Sequence, residues 1–223
     1  MKIYYHPVST TSRPLMLFAE ENGMNVQFQV VDLLKGEHMQ PPYTAINPSK
    51  LVPVLEDGDF RLTESSAILK YLAEKSNSPA YPKDLQKRAR VNEVMDFINT
   101  QVCRDFAYGL VYPQIFSTHQ RPSDDHQKGT LAWAKERAQG WFKVLDEHLL
   151  KQRKFLAGDE MTIADYFGAS FVGLGEAIRV DFKRYPNIDR WLGQMKQLKC
   201  WNKVHEVFYG FAGSMKDKSF EVI

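Results

Sequence analysis

The chain has 223 residues, 43% hydrophobic and 25% charged, with a formal net charge of +2. This excludes collagen-like, low-complexity and wholly disordered chains, and the even charge balance argues against nucleic acid or an anionic membrane as the main partner. Cys103 and Cys200 are the only cysteines and form no C-x-x-C pair, so neither a disulfide scaffold nor a metal site is expected.

The start, Met1-Lys2-Ile3-Tyr4-Tyr5-His6-Pro7, has no apolar leader, and no apolar stretch is long enough to span a bilayer. With two unpaired thiols, the expectation is a cytoplasmic protein. Residues 2–5 read as a strand and 6–11 as a loop. Ser12-Arg13-Pro14 opens a helix, because proline is tolerated in the first turn, and Gly23 stops it. Residues 27–32 alternate as a strand, and 35–46 read as a short irregular helix. Two further strands, 54–56 and 60–63, flank Asp57-Gly58, a strong hairpin signal. Ser65 or Ser66 then caps a helix bearing Ile68, Leu69 and Leu72. The helical connection between the first two strands predicts a parallel pair, beside an antiparallel hairpin.

Composition changes after this point. Eight of the eleven prolines lie in the first 82 residues and all four tryptophans lie beyond them. Residues 1–78 carry a net charge of −2 and residues 79–223 carry +4. The turn-forming run Ser76-Asn77-Ser78-Pro79 predicts the boundary, with a linker over 79–86. From Leu85 the pattern is helical throughout. Thr162-Ile163-Ala164-Asp165 has capping-box spacing, which assigns the aspartate a structural role. The last helices are expected over 188–197 and 199–209, with the tail 214–223 frayed.

Several segments together match one family. They are Asn47-Pro48-Ser49-Lys50-Leu51-Val52-Pro53-Val54-Leu55, Leu62-Thr63-Glu64-Ser65-Ser66-Ala67-Ile68-Leu69, Tyr81-Pro82-Lys83-Asp84-Leu85-Gln86, Phe155-Leu156-Ala157-Gly158 and Thr162-Ile163-Ala164-Asp165-Tyr166. The chain resembles a cytosolic glutathione transferase, nearest the serine-type theta and delta classes. The resemblance implies an α/β plus all-α architecture. A thioredoxin-like N-terminal domain with a mixed four-stranded sheet (1–78) would precede an all-helical C-terminal domain (87–213).

It also implies chemistry. A peptide thiol of pKa near 8.5 is only about 3% ionised at pH 7, and lowering that pKa by two units takes about 2.7 kcal/mol. A hydroxyl at a helix N-terminus can supply much of it. Ser9, four residues before Arg13, matches the family's activating serine, although by position alone it reads as a turn residue. The run Ser9-Thr10-Thr11 departs from the family's Ser-Gln-Pro or Ser-Ser-Pro and leaves Thr10 as a second candidate. Tyr5, at the end of the first strand, is a third.

By the same resemblance His38 and Lys50 would hold the glycine carboxylate of glutathione. Val52, before a cis Pro53, would meet its cysteine, and Glu64, Ser65 and Ser66 its γ-glutamyl group. Val8, Phe106, Tyr108, Leu110, Tyr112, Phe116, Phe208 and Phe211 would line an electrophile pocket, although their apolar spacing fits a core equally well. Animal theta enzymes carry a longer C-terminal extension, so this pocket is expected to be more open. The implied function is detoxifying conjugation of glutathione to hydrophobic electrophiles by a homodimer, with peroxidase or dehalogenase activity as variants and no metal. The alternative is a non-catalytic interaction module of the same fold.

Overall fold

Ile3 is wholly buried at the centre of the first strand, and the sheet is built around it. In the computed structural model, which describes residues 1–223, strands β1 (Lys2–Tyr5), β2 (Gln27–Val30), β3 (Val54–Asp57) and β4 (Phe60–Leu62) form one sheet in the order β2-β1-β3-β4. β1 runs parallel to β2, pairing Ile3 with Phe28, and antiparallel to β3, pairing Ile3 with Leu55. The β3–β4 turn passes through Gly58 at φ +62°, a conformation glycine adopts without a Cβ clash. β2 ends two residues before the predicted limit. The Asp32 carboxylate turns outward to accept from the Lys35 N–H at 3.0 Å, and this local turn stops the ladder.

Helices α1 (Arg13–Glu21), α2 (Tyr43–Ile46) and α3 (Ser65–Lys75) complete the N-terminal unit. The helical part begins with α4 (Leu85–Phe97), whose N-cap Asp84 accepts from the Lys87 N–H at 2.9 Å. It runs directly into a π-helical stretch, Ile98–Val111, followed by α5 (Tyr112–Ile115) and α6 (Asp124–Lys143). Every residue of α7 (Ile163–Gly173) is buried; α8 (Pro186–Met195) packs on it, and α9 (Trp201–Gly213) packs on α1. Asp165 closes the capping box, as its spacing predicts. Its carboxylate accepts from the N–H groups of Thr162 and Leu156, both at 2.8 Å, and from Trp191 Nε1–H at 2.9 Å. Burial still pushes its pKa up to about 6.

One continuous cluster of 45 buried apolar residues runs from Ile3 through α7 to Phe208, so the two units share a core. A polar clasp crosses the same junction. The Ser170 hydroxyl on α7 donates to the Thr10 carbonyl at 2.7 Å, and Arg13 Nη2 reaches the Ser170 carbonyl at 3.4 Å. Arg13 is 1% exposed, and its guanidinium lies 3.9 Å from the centre of the Phe208 ring. Burial lowers its pKa to about 10, so it stays charged at neutral pH.

The tail is not frayed. Met215 and Ile223 are buried, because Arg179 and Gln114 bind the tail's backbone: Arg179 Nη1 donates to the Lys216 carbonyl at 2.9 Å, and Gln114 pairs with Glu221.

His205 of α9 stacks on Trp201 at 3.8 Å and shares a hydrogen bond with the Trp201 carbonyl through Nδ1. Burial and the nearby Arg13 charge push its pKa down to about 3. The unfolded chain, with an ordinary histidine pKa near 6.5, therefore takes up this proton first, and stability is lost as pH falls from about 6.5 towards 3. His205→Gln, which keeps a donor for the carbonyl but does not titrate, is expected to flatten that part of the curve. Urea unfolding at pH 7.5, 5.5 and 4.5 checks this, and parallel wild-type and variant curves would contradict it.

Candidate active site

The turn between β1 and α1 is held by Ser9. Its carbonyl accepts from the N–H groups of Ser12 and Arg13 at 3.2 and 3.1 Å, and its Oγ accepts from the Ser12 N–H at 3.3 Å. The Ser9 hydroxyl therefore sits at the mouth of α1, half-buried, where the helix dipole favours negative charge. It lies 3.0 Å from Thr11 Oγ1, and Thr11 in turn donates to the Val52 carbonyl at 3.0 Å. With the Thr11 proton committed to Val52, the proton shared between the two hydroxyls is the one on Ser9. A hydroxyl relay thus links Ser9 to the loop before Pro53.

That loop is firmly shaped. The Val52–Pro53 peptide is cis, and the Leu51 carbonyl accepts from Tyr43 Oη at 2.6 Å and Asn47 Nδ2 at 2.8 Å. Val52, Val31, Tyr43 and Val54 form a small separate core beneath it. Lys50 is exposed at φ +58°, and half-buried His38 has its Nδ1 buried without a partner.

Glu64 precedes α3 at φ +63°, ψ 110°, a conformation strained for a residue with a Cβ. Ser65, at 6% exposure, and half-buried Ser66 begin the helix, where backbone N–H groups lack intrahelical acceptors. Burial raises the pKa values of Cys103 and Tyr108 in the helical unit, and the Glu64 charge adds a smaller push in the same direction. Burial is the main cause at Cys103, whose thiol is pushed up to about 12, and Cys200 is also raised. Neither thiol is ionised at neutral pH, which disfavours both as nucleophiles.

The other candidates separate by burial. Thr10 is buried, with its hydroxyl against the Tyr112 phenol. Tyr5 packs edge-on against Phe28 at 5.3 Å, in a cleft lined also by Met16, Val204 and Val207. Phe106 and Leu110 are wholly buried and Phe208 is 1% exposed, so all three belong to the core, a distinction that helical periodicity alone does not make. Val8 is half-buried. Tyr108, Tyr112 and Phe116 form successive aromatic contacts at 4.9 and 5.6 Å, and Phe116 stacks on Phe211 of α9 at 5.6 Å. Tyr112 meets Thr10 and Tyr108 lies near Glu64, so this aromatic row stands over the junction of the two units.

The family model of the glutathione S-transferase N-terminal domain matches residues 1–74, and that of the C-terminal domain matches residues 111–199. The chain belongs to the glutathione S-transferase family. Glutathione S-transferase theta-1 of Homo sapiens is 35% identical over 93% of this chain and 88% of its own length. Among solved structures, glutathione S-transferase unclassified 2 from Bombyx mori superposes with a TM-score of 0.83 at 30% identity, covering 99% of both chains. Human glutathione transferase theta-2, solved as a complex with glutathione and an unknown ligand, superposes at 0.80 with 28% identity, over 99% of this chain and 92% of its own. The thioredoxin-like sheet and helical C-terminal domain expected of a glutathione S-transferase are both present. No helix is long and apolar enough to cross a membrane.

Sequence reasoning missed Thr11, Tyr43 and Asn47, the residues that brace the Val52 loop. The spacing of Thr11 two residues after Ser9 was a usable signal, whereas the turn to Leu51 needs the folded loop. Thr11→Ala leaves the Val52 carbonyl without its donor, a loss of about 1 kcal/mol. The expected result is a roughly fivefold weaker Kd for glutathione by calorimetry, with the melting temperature little changed. An unaltered Kd would remove Thr11 from the site.

Proposed function

We propose that this glutathione S-transferase binds glutathione against the Val52 loop and the start of α3, and uses Ser9 to hold its sulfur as a thiolate. The observation that carries the reading is the Ser9 hydroxyl at the α1 N-terminus, 3.0 Å from the Thr11 hydroxyl that is anchored to the Val52 carbonyl. In the free protein Ser9 directs its proton to Thr11. Rotation towards an incoming sulfur replaces that bond with a charge-assisted one, and the thiol proton leaves to solvent. The thiolate then forms a carbon–sulfur bond with the electrophile, and the leaving group departs with the bonding pair.

Lys50 and His38 would take the glycine carboxylate, and Glu64, Ser65 and Ser66 the γ-glutamyl group. The unpartnered His38 Nδ1 and the open N-terminus of α3 support these roles. Tyr112, Phe116 and Phe211, with Tyr108 at the rim, would receive a hydrophobic electrophile, and the glutathione complex of the theta-2 relative supports the cosubstrate. The high-pKa thiols of the chain support a reaction in which the nucleophilic sulfur comes from glutathione.

Ser9→Ala is expected to retain glutathione binding and to lose roughly a hundredfold in kcat, the scale of one lost transition-state donor. The alkaline shift of its kcat/KM profile should exceed one unit, because the thiol regains its ordinary pKa near 8.5. Undiminished turnover would transfer the role to Thr10 or Tyr5. Binding without turnover by the wild type, towards aryl halides, hydroperoxides and alkyl halides alike, would favour the non-catalytic module.

We further assign the protein to a cytoplasmic, detoxifying homodimer with its contact drawn from the first domain and α4. Leu85 is 80% exposed, Leu51 56% and Phe60 47%, which is apolar surface suited to a second copy. Light scattering should return twice the 25.8 kDa chain mass. A monomer at micromolar concentration would refute the assembly.

A further inference from the structure

The last ten residues form a strap across the helical unit, and its attachments fall in two places. At its start, Arg179 donates to the carbonyls of Met215 at 3.3 Å, Lys216 at 2.9 Å and Lys218, and lies 5.1 Å over the Phe220 ring. At its end, Gln114 forms a two-way amide pair with the strap: the Glu221 N–H donates to Gln114 Oε1 at 2.7 Å, and Gln114 Nε2 donates to the Glu221 carbonyl at 3.0 Å. Around this pair, Lys135 of α6 meets the Glu221 carboxylate at 2.9 Å, Arg184 reaches the Ile223 carbonyl at 3.2 Å, and the Ile223 side chain is 1% exposed.

Gln114 belongs to α5, a helix of only four residues, too short to hold itself. Its Nε2 also donates to the Leu110 carbonyl at 2.9 Å, at the end of the π-helical stretch. Gln127 Nε2 on α6 donates to the Pro113 carbonyl of the same segment at 2.8 Å. The segment so fixed carries Tyr112 and leads into Phe116. Outer tethers therefore set the position of the inner aromatic wall.

We propose that Gln114 is a positioning residue for the electrophile pocket, and that the strap acts through it to hold the Tyr112–Phe116 wall in register with the thiolate. This rests on the reading of that wall as the electrophile site. Glutathione binding, which would use the N-terminal unit alone, does not depend on the strap. The inference thus separates the two substrates.

The test compares wild type, Gln114→Ala, Glu221→Ala, Glu221→Pro and a chain ending at Lys218. KM is measured for chlorodinitrobenzene and cumene hydroperoxide, and for glutathione. Gln114→Ala, Glu221→Pro and the truncation are expected to raise the electrophile KM roughly three- to tenfold, with the glutathione KM within about twofold, because misplaced pocket walls weaken orientation rather than cosubstrate binding. Glu221→Ala, which loses only the exposed ion pair with Lys135, should match wild type. Amide hydrogen exchange supplies the second readout: exchange over 110–119 should quicken in Gln114→Ala, while exchange over 65–75 stays unchanged. An unmoved electrophile KM in Gln114→Ala, or exchange over 110–119 equal to wild type, overturns the proposal and leaves the Ser9 reading standing. A wild type that binds glutathione but turns over neither of these electrophiles nor an alkyl halide overturns both.

Discussion

A buried positive charge joins the two halves of this molecule. Arg13 leaves the first turn of α1, enters the interior almost without exposure, and meets Ser170 of α7 and the face of Phe208. Removing a guanidinium from water costs several kcal/mol, and a single long hydrogen bond with one aromatic face offsets only part of that. The remainder must come from the apolar core that closes around it. The orientation of α1, and with it the position of Ser9, is therefore fixed by packing from the helical unit as much as by the sheet.

Site geometry follows from this arrangement. α1 cannot turn without disturbing the Thr10–Ser170 contact, so the hydroxyl at its mouth is held at a constant place relative to the Val52 loop. The helical unit contributes a row of aromatic rings, and the N-terminal unit contributes hydroxyls, backbone and one carboxylate on a strained backbone. The polar and apolar parts of the proposed site thus come from opposite sides of one shared core.

Much of this was legible in the sequence, because the relevant signals are local. Pro14 in the first helical turn, Asp57-Gly58 between two short strands, and Thr162 spaced three residues from Asp165 each mark a backbone event within a few positions. The four-stranded sheet and the helical half followed from the same local signals. Signals that depend on distant partners were not legible. The last ten residues look like an ordinary polar tail until Arg179 and Gln114 are brought to them by the fold. Phe106, Leu110 and Phe208 carry the same apolar spacing as Tyr112 and Phe116, and only the folded interior separates the buried core from the half-buried wall. Tyr43 and Asn47 likewise acquire meaning only when both reach the Leu51 carbonyl.

Glu64 bears on how this fold tolerates change. Its backbone adopts a conformation that glycine reaches freely and a side chain bearing a Cβ does not, at a cost of about 1–3 kcal/mol. Nothing in the packing offsets that strain, since the side chain is exposed. In the proposed site, stability and ligand chemistry therefore pull this one position in opposite directions. A library selected for thermal resistance alone would drift to glycine at position 64, growing more robust while discarding the carboxylate proposed to meet the γ-glutamyl group.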